Sequence, residues 1–312
     1  MAMWLLLVAL LGLYFLLRWY RERETLPNLR EKFVLITGCD TGFGNVLARQ
    51  LDQRGMLVLA ACLTPKGAQE LKQATSQRLQ TVILDVSDSK SVAAMAQWVK
   101  EQVGDRGLWG LVNNAGILIP VAPNEWLTKE DFLRVLNVNL VGLVDVTLSL
   151  LPLLRKTQGR IVNVSSIAGR LGLCGGGYSI SKYGVEAFSD SLRRDLATFG
   201  VKVSIIEPDF FKTQILNEET LTKSLRQVWA SVPAEVQQSY GHSYFEDYCK
   251  YILHMIQLTT PKLYLVTDSM EHALTAVHPR TRYSAGMYAK FFYVPLSYMP
   301  TALADRLLTF SP

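Results

Sequence analysis

Six short stretches of almost unbroken apolar residues constrain this chain more than any other feature: FVLITG (33–38), MLVLAAC (56–62), TVILDV (81–86), LWGLVNN (108–114), RIVNVSS (160–166) and VKVSIIEP (201–208). A strand with one wet face alternates apolar and polar residues, whereas these runs do not alternate, as expected of strands buried on both faces. Longer helical patterns separate them, so the sequence predicts repeated strand–helix–strand units and an α/β fold with a doubly wound parallel sheet. At 312 residues the chain fits one large core of this kind. That core is expected over 33–312, with HPRTRY (278–283) as a candidate seventh strand. Residues 210–260 follow the sixth strand and mix helical patterns with polar and aromatic residues. Ligands of such sheets bind at the carboxyl ends of the strands, so this excursion is expected to cover a substrate. The late stretch 290–308 is apolar enough to touch either membrane or core.

The first 17 residues carry no charged side chain before Arg18. As a helix they would extend roughly 26 Å, enough to cross a thin bilayer such as the endoplasmic reticulum membrane. No basic start or small-x-small cleavage pattern marks a removable signal, so residues 1–20 are expected to be an uncleaved membrane anchor followed by a charged linker over 21–32. The alternative is a helix lying on a membrane or on the protein. Trp19 and Tyr20 suit the interface, and Arg18, Arg21 and Arg23 favour a cytosolic location for the remainder of the chain. The net charge of +5 comes without a basic run, which argues against nucleic acid as a partner. Four scattered cysteines, Cys39, Cys62, Cys174 and Cys249, include no CxxC pair and indicate neither a zinc site nor a disulfide framework. No metal site is expected, and a homo-oligomer is neither indicated nor excluded.

The first strand runs into TGCDTGFG (37–44) and then into a helical pattern ending near Gly55. Glycines at 38, 42 and 44 would allow a tight turn and a close backbone approach to a pyrophosphate, whose charge the helix N-terminus would stabilise. The spacing G-x-x-x-G-x-G is a weak signal alone. Asp85 and the NNAG of 113–116 strengthen it, because both fall where strands end and a dinucleotide would lie.

In GGGYSISKYG (175–184), the stripe Val185, Phe188, Leu192, Leu196 and Phe199, run backwards, reaches Lys182 and Tyr178. A lysine on an inward row is costly unless it is paired or used. Four residues apart, the two side chains share a face, and an ammonium there would lower the phenol pKa, making Tyr178 a usable general base. Tyr183 falls off that row and is expected to pack or to make a surface contact.

Taken in order, T-G-x-x-x-G-x-G, the D-V of 85–86, N-N-A-G, the N-V-N of 137–139, V-N-V-S-S of 162–166 and Y-x-x-x-K of 178–182 resemble the short-chain dehydrogenase/reductase superfamily, over 33–213. That resemblance implies a Rossmann-type fold and an NAD(P)-dependent oxidoreductase. It implies that Tyr178 takes the substrate hydroxyl proton, that Lys182 also holds the nicotinamide ribose, that Ser166 hydrogen-bonds the reacting oxygen, and that Asn139 holds a relay water; Ser165 is the fallback for Ser166. The dinucleotide contacts implied are Gly38, Asp40, Thr41, Gly42, Phe43, Gly44, Thr64, Asp85, Val86, Asn113, Ala115, Gly116, Tyr178, Lys182, Pro208 and Thr213. The sequence departs from the family at Pro208-Asp209, where Pro-Gly is usual, which places a carboxylate near the nicotinamide pocket. The second strand ends in Cys62-Leu63-Thr64, with Lys66 just beyond, and does not decide between NAD and NADP.

RWYRER, ITGCDTGFG, ARQLDQRG, AACLT, GLWGLVNNAGI, VEAFSDSLRRDL and EHALTAVHPRTRYSAG are similar to the microsomal retinol dehydrogenase and 3α-hydroxysteroid dehydrogenase branch. This implies oxidation of all-trans-retinol and of 3α- or 17β-hydroxysteroids, with NAD favoured over NADP, in the endoplasmic reticulum membrane. A membrane-tethered dinucleotide sensor, motivated by Asp209, is the competing expectation.

Overall fold

A computed structural model describes residues 2–309, except the side chains at 2, 3, 5, 8, 14 and 15. Seven strands form one sheet: β1 (Phe33–Thr37), β2 (Leu57–Cys62), β3 (Leu79–Ile83), β4 (Gly110–Asn113), β5 (Arg160–Val164), β6 (Lys202–Pro208) and β7 (Arg282–Ala285). All neighbours are parallel and the order is β3-β2-β1-β4-β5-β6-β7, the predicted doubly wound architecture. Every residue of β1 and β5 is buried, as their unbroken apolar character required. Before the sheet stands α1 (Ala2–Glu22). The crossovers on the two faces are α2 (Gly42–Gln53), α3 (Pro65–Gln73), α4 (Ser89–Val103), α5 (Lys129–Leu136), α6 (Leu143–Lys156) and α7 (Gly177–Asp195). After β6 come α8 (Glu218–Ser231), α9 (Ala234–Tyr240), α10 (His242–Gln257) and α11 (Tyr264–Thr275).

Local chemistry sets the boundaries. The third strand sits two residues earlier than predicted and stops at Ile83, because Asp85 turns the chain: its amide donates to Ser91 Oγ and its carboxylate accepts from the Ser87 amide and hydroxyl. Thr128 and Asp131 close a capping box on α5, and Asp88 caps α4. At the end of α2, Gly55 takes φ +80°, a left-handed conformation that costs glycine little.

The 28 residues Lys129–Lys156 form one continuous helix, α5 and α6 joined by a π-helical segment (Asn137–Gly142), long and apolar enough to cross a membrane by length and composition. Val146, Leu150 and Leu154 are fully buried against the sheet, so this is a core helix. α1, by contrast, exposes Leu6, Leu10, Leu13, Leu16 and Leu17. The stretch expected to be a linker is tied down: the Glu22 backbone carbonyl bonds His272, Leu26 donates to the Thr275 carbonyl, and Thr25 bridges to Ala276. Part of the tail packs on the core. Leu296 and Ala304 bury against Leu171, while Phe291, Tyr298 and Leu307 stay exposed.

A buried polar ladder joins the central strands to the helices behind them. Asn113 Nδ2 on β4 donates to Asn163 Oδ1 on β5 and to Thr147 Oγ1 on α6, both at 2.8 Å, and Asn163 Nδ2 donates to Ser189 Oγ on α7 at 2.8 Å. Asn113→Ala orphans two buried groups, and calorimetric or denaturant unfolding is expected to show a loss of about 1–3 kcal/mol.

Candidate active site

A cavity of ≈ 840 Å³ opens along the carboxyl edge of the sheet, from the first glycine turn to the segments that follow β6. Its first end is a cradle of main chain. Gly38 and Gly42 have φ of +70° and +63°, and a Cβ on Gly38 would fall 2.8 Å from Ala115 Cα. Thr41 precedes α2 without a side-chain cap, so the first-turn amides are free of that competitor and can receive a phosphate. Thr41, Gly42, Phe43, Val86, Ala115, Gly116, Pro208 and Thr213 line the wall, where the family resemblance put them. These residues fit a dinucleotide.

Two residues expected to touch the dinucleotide have other duties. Asn113 lies behind the wall in the polar ladder. Gly44 faces the turn from below, where a Cβ would stand 2.3 Å from the Gly38 carbonyl, so its role is close packing. Asn114, not expected from the sequence, lines the cavity and fastens the turn, its Nδ2 donating to the carbonyls of Thr37 and Gly38. The doubled asparagine of NNAG was its only signal. Asp40 and Asp85 line the wall with their carboxylates engaged: Asp40 accepts from the amides of Leu63 and Thr64 and from Thr64 Oγ1. Thr64 in turn caps α3.

Tyr178, Lys182 and Ser166 meet in the middle of the cavity. Tyr178 is half-buried on the first turn of α7, where it lines the cavity, and the Lys182 Nζ stands 5.6 Å from its ring centre. The hydroxyl of Ser166 bonds that of Tyr178, whereas Ser165 Oγ is directed to the Lys182 carbonyl. Of the two serines, the geometry therefore selects Ser166. The expected lowering of the Tyr178 pKa is not found. Burial pushes the phenol up to about 12 against the opposing Ser166 bond, and Lys182 spends a 2.8 Å bond on the Val164 carbonyl. Burial also brings Lys182 down to about 8, with Glu186, one helical turn on, acting in the opposite direction.

Asn139 sits in the π-helical segment, where Oδ1 accepts from the Ile117 amide and Nδ2 donates to the Ile117 carbonyl and to Ser181 Oγ. The side chain thereby fixes the loop after β4 beside Gly116. Asp209 lines the cavity beside Pro208, with its carboxylate engaged by the amides of Tyr288 and Ala289 at the start of the tail helix.

A glycine cradle for a dinucleotide beside a cavity-lining tyrosine and a buried lysine and serine defines the class: a dinucleotide-dependent dehydrogenase. Residues 32–224 match the short chain dehydrogenase family, and the chain belongs to it. It is 61% identical over 306 residues to human retinol dehydrogenase 16, covering 98% of this chain and 96% of that protein. It is 58% identical over 307 residues to human 17-beta-hydroxysteroid dehydrogenase type 6, covering 98% and 97%. A solved short-chain dehydrogenase from Streptomyces avermitilis superposes with a TM-score of 0.71 at 24% identity, over 88% of this chain and 95% of that one, a likeness of fold.

Glu186 sits in an ionic cluster with buried Glu207 and the partly exposed Asp190 and Arg282; burial, reinforced by Glu207, holds its carboxyl up at about 7. Glu186→Gln removes the charge that supports the Lys182 ammonium. The expected outcome is a coenzyme KM that rises several-fold at neutral pH and climbs further toward pH 9 than in the wild type, measured by coenzyme titration at each pH.

Proposed function

We propose that the protein interconverts lipophilic secondary or allylic alcohols and their carbonyls, with all-trans-retinol and 3α- or 17β-hydroxysteroids as substrates. The observation that carries this reading is the convergence of Tyr178, Ser166 and Lys182 on the dinucleotide wall of a cavity whose other end is apolar, with Ile252, Phe292 and Leu307 among its lining residues. The names of the relatives support the substrate class. The Asp209 carboxylate is occupied by the amides of the tail, which weakens the case for a sensor.

A dinucleotide held in the cradle between Gly38 and Gly116 would supply the hydride acceptor or donor. Tyr178 takes the hydroxyl proton as the carbonyl forms and gives it back in reduction. Ser166 donates to the reacting oxygen and orients it toward the phenol. Lys182, held by the Val164 carbonyl, presents positive charge to the ribose side of the cavity and favours the phenolate as it forms. The apolar walls exclude water from this exchange.

NAD is the preferred coenzyme in this reading. The Asp40 carboxylate, folded onto the amides that end β2, sets a negative charge beside the adenosine end, where a 2′-phosphate would be repelled. Lys66, the nearest candidate to attract such a phosphate, is exposed and paired with Glu70. Residues 1–20 act as a membrane anchor, with 21–32 joining it to the catalytic domain. Arg18, Arg21 and Arg23 favour the cytosolic side of the endoplasmic reticulum for that domain.

Because burial raises the Tyr178 pKa, the phenol is protonated at neutral pH, and kcat/KM for alcohol oxidation is expected to climb with pH, approaching tenfold per unit on the acid side. Carbonyl reduction, for which the phenol is already protonated, should stay flat over the same range. Tyr178→Phe is expected to lose at least about a thousandfold in kcat while NADH still binds, measured by fluorescence titration. Near-normal turnover in that variant would remove Tyr178 as the base. For coenzyme choice, steady-state rates with retinol and androstanediol should favour NAD over NADP, and Asp40→Asn should narrow that ratio about tenfold.

A further inference from the structure

A second cavity of ≈ 620 Å³ lies against the first and shares five lining residues with it: Leu173, Cys174, Tyr251, Ile252 and Leu308. Its far side is formed by Gly172, Ile180, Tyr183, Tyr244 and Tyr248. The first turns of α7 partition the two spaces. Tyr178 and Lys182, four residues apart, face the reaction cavity, while Ile180 and Tyr183, three apart on another row, face the second. Ile180 is 50% exposed and Tyr183 46%, so the second cavity opens outward along this row.

Volume makes the adjacency matter. Single ligands occupy pockets of roughly 300–1,000 Å³. The reaction cavity, at ≈ 840 Å³, lies within the range for one ligand, yet it has to seat a dinucleotide and an alcohol together. The dinucleotide takes the cradle between Gly38 and Gly116, and the alcohol then has the space beyond Tyr178, which ends on the shared wall. That wall is closed by the aliphatic side chains of Leu173, Ile252 and Leu308, by Tyr251 and by Cys174, whose Sγ lies 3.5 Å from Ser179 Oγ, next in sequence to Tyr178. Cys174 is thus held close to the reacting centre, and its thiol, kept protonated by burial, presents an uncharged surface.

We propose that the second cavity is an annex of the reaction cavity: an elongated alcohol places its hydroxyl at Tyr178 and Ser166 and passes its apolar tail through the Leu173–Cys174, Tyr251–Ile252 and Leu308 wall, to lie against Ile180 and Tyr183. This rests on the dehydrogenase reading and adds a length requirement to it. Alcohols whose tails reach the annex gain contact there that short alcohols cannot, so chain length becomes a determinant of kcat/KM.

The test uses the full-length protein in membranes, with NAD and a series of straight-chain allylic alcohols from about six to about twenty carbons. In the wild type, kcat/KM is expected to rise by up to roughly fourfold per added methylene and to go on rising past the length that fills the reaction cavity. Gly172→Phe fills the annex, and its Cβ would have no atom within 4 Å to displace. Ile180→Arg, on an exposed position, sets a charge in the path of the tail. In each variant the ratio of kcat/KM for the longest to that for the shortest alcohol should fall at least tenfold, through KM. If Gly172→Phe does not fold, Ile180→Arg decides. A ratio unchanged from the wild type, or long and short alcohols falling in proportion, overturns the annex while leaving the dehydrogenase reading in place. Turnover of no alcohol by the wild type overturns both.

Discussion

The hydrogen bond between the buried amides of Asn113 and Asn163 is the joint on which this site depends. It lies across the centre of the sheet, and its two arms reach Thr147 on α6 and Ser189 on α7. Those hydroxyls in turn close on the Leu143 and Val185 carbonyls of their own helices. The continuous helix ending in α6 carries Asn139, and α7 carries Tyr178 and Lys182 ahead of Ser189. A rotation of either helix about its axis would break a bond that no water can replace in a dry interior. The polar ladder therefore sets the angular position of the reacting side chains from behind, at residues that never meet a ligand.

Burial then decides the electrostatics. Tyr178 and Lys182 both lie in low dielectric, and for each the cost of charging outweighs the other local influences: the phenol moves up and the ammonium moves down. At neutral pH the phenol is therefore neutral while the lysine keeps its charge with little to spare, so the two are not a fixed ion pair. Glu186 and the cluster around Arg282 supply the counter-charge on the far side of the lysine, and Arg170 extends that cluster by its ion pair with Glu207 and its hydrogen bond to the tail residue Tyr298.

Much of this was legible in the sequence. Strands buried on both faces announce themselves by composition, so six strands were placed to within two or three residues and the seventh was found shifted toward the tail. The tyrosine, lysine and serine were legible because spacing on one helix face and the end of one strand are local facts. The sequence misled where the decisive partner is remote. Asn113 and Asn114 are adjacent and chemically identical, yet the pleat sends one into the ladder and the other to the cavity. The side chain of Asn139 is spent on Ile117, 22 residues earlier, and Asp209 on a helix that begins 80 residues later. The Tyr178 pKa was misjudged for a related reason, since periodicity reveals a neighbour but not how dry the site is.

The attachment of the leader has a consequence of its own. The end of α1 is stitched through Glu22, Thr25 and Leu26 to the close of α11 and the approach to β7, at the edge of the sheet where the strands begin. The reaction cavity lies at the opposite edge, and among the described residues none before Gly38 contributes to its lining. The first helix and the reaction chamber are thus mechanically separate parts of one chain, so that changes to the described residues of α1 reach no wall of the chamber.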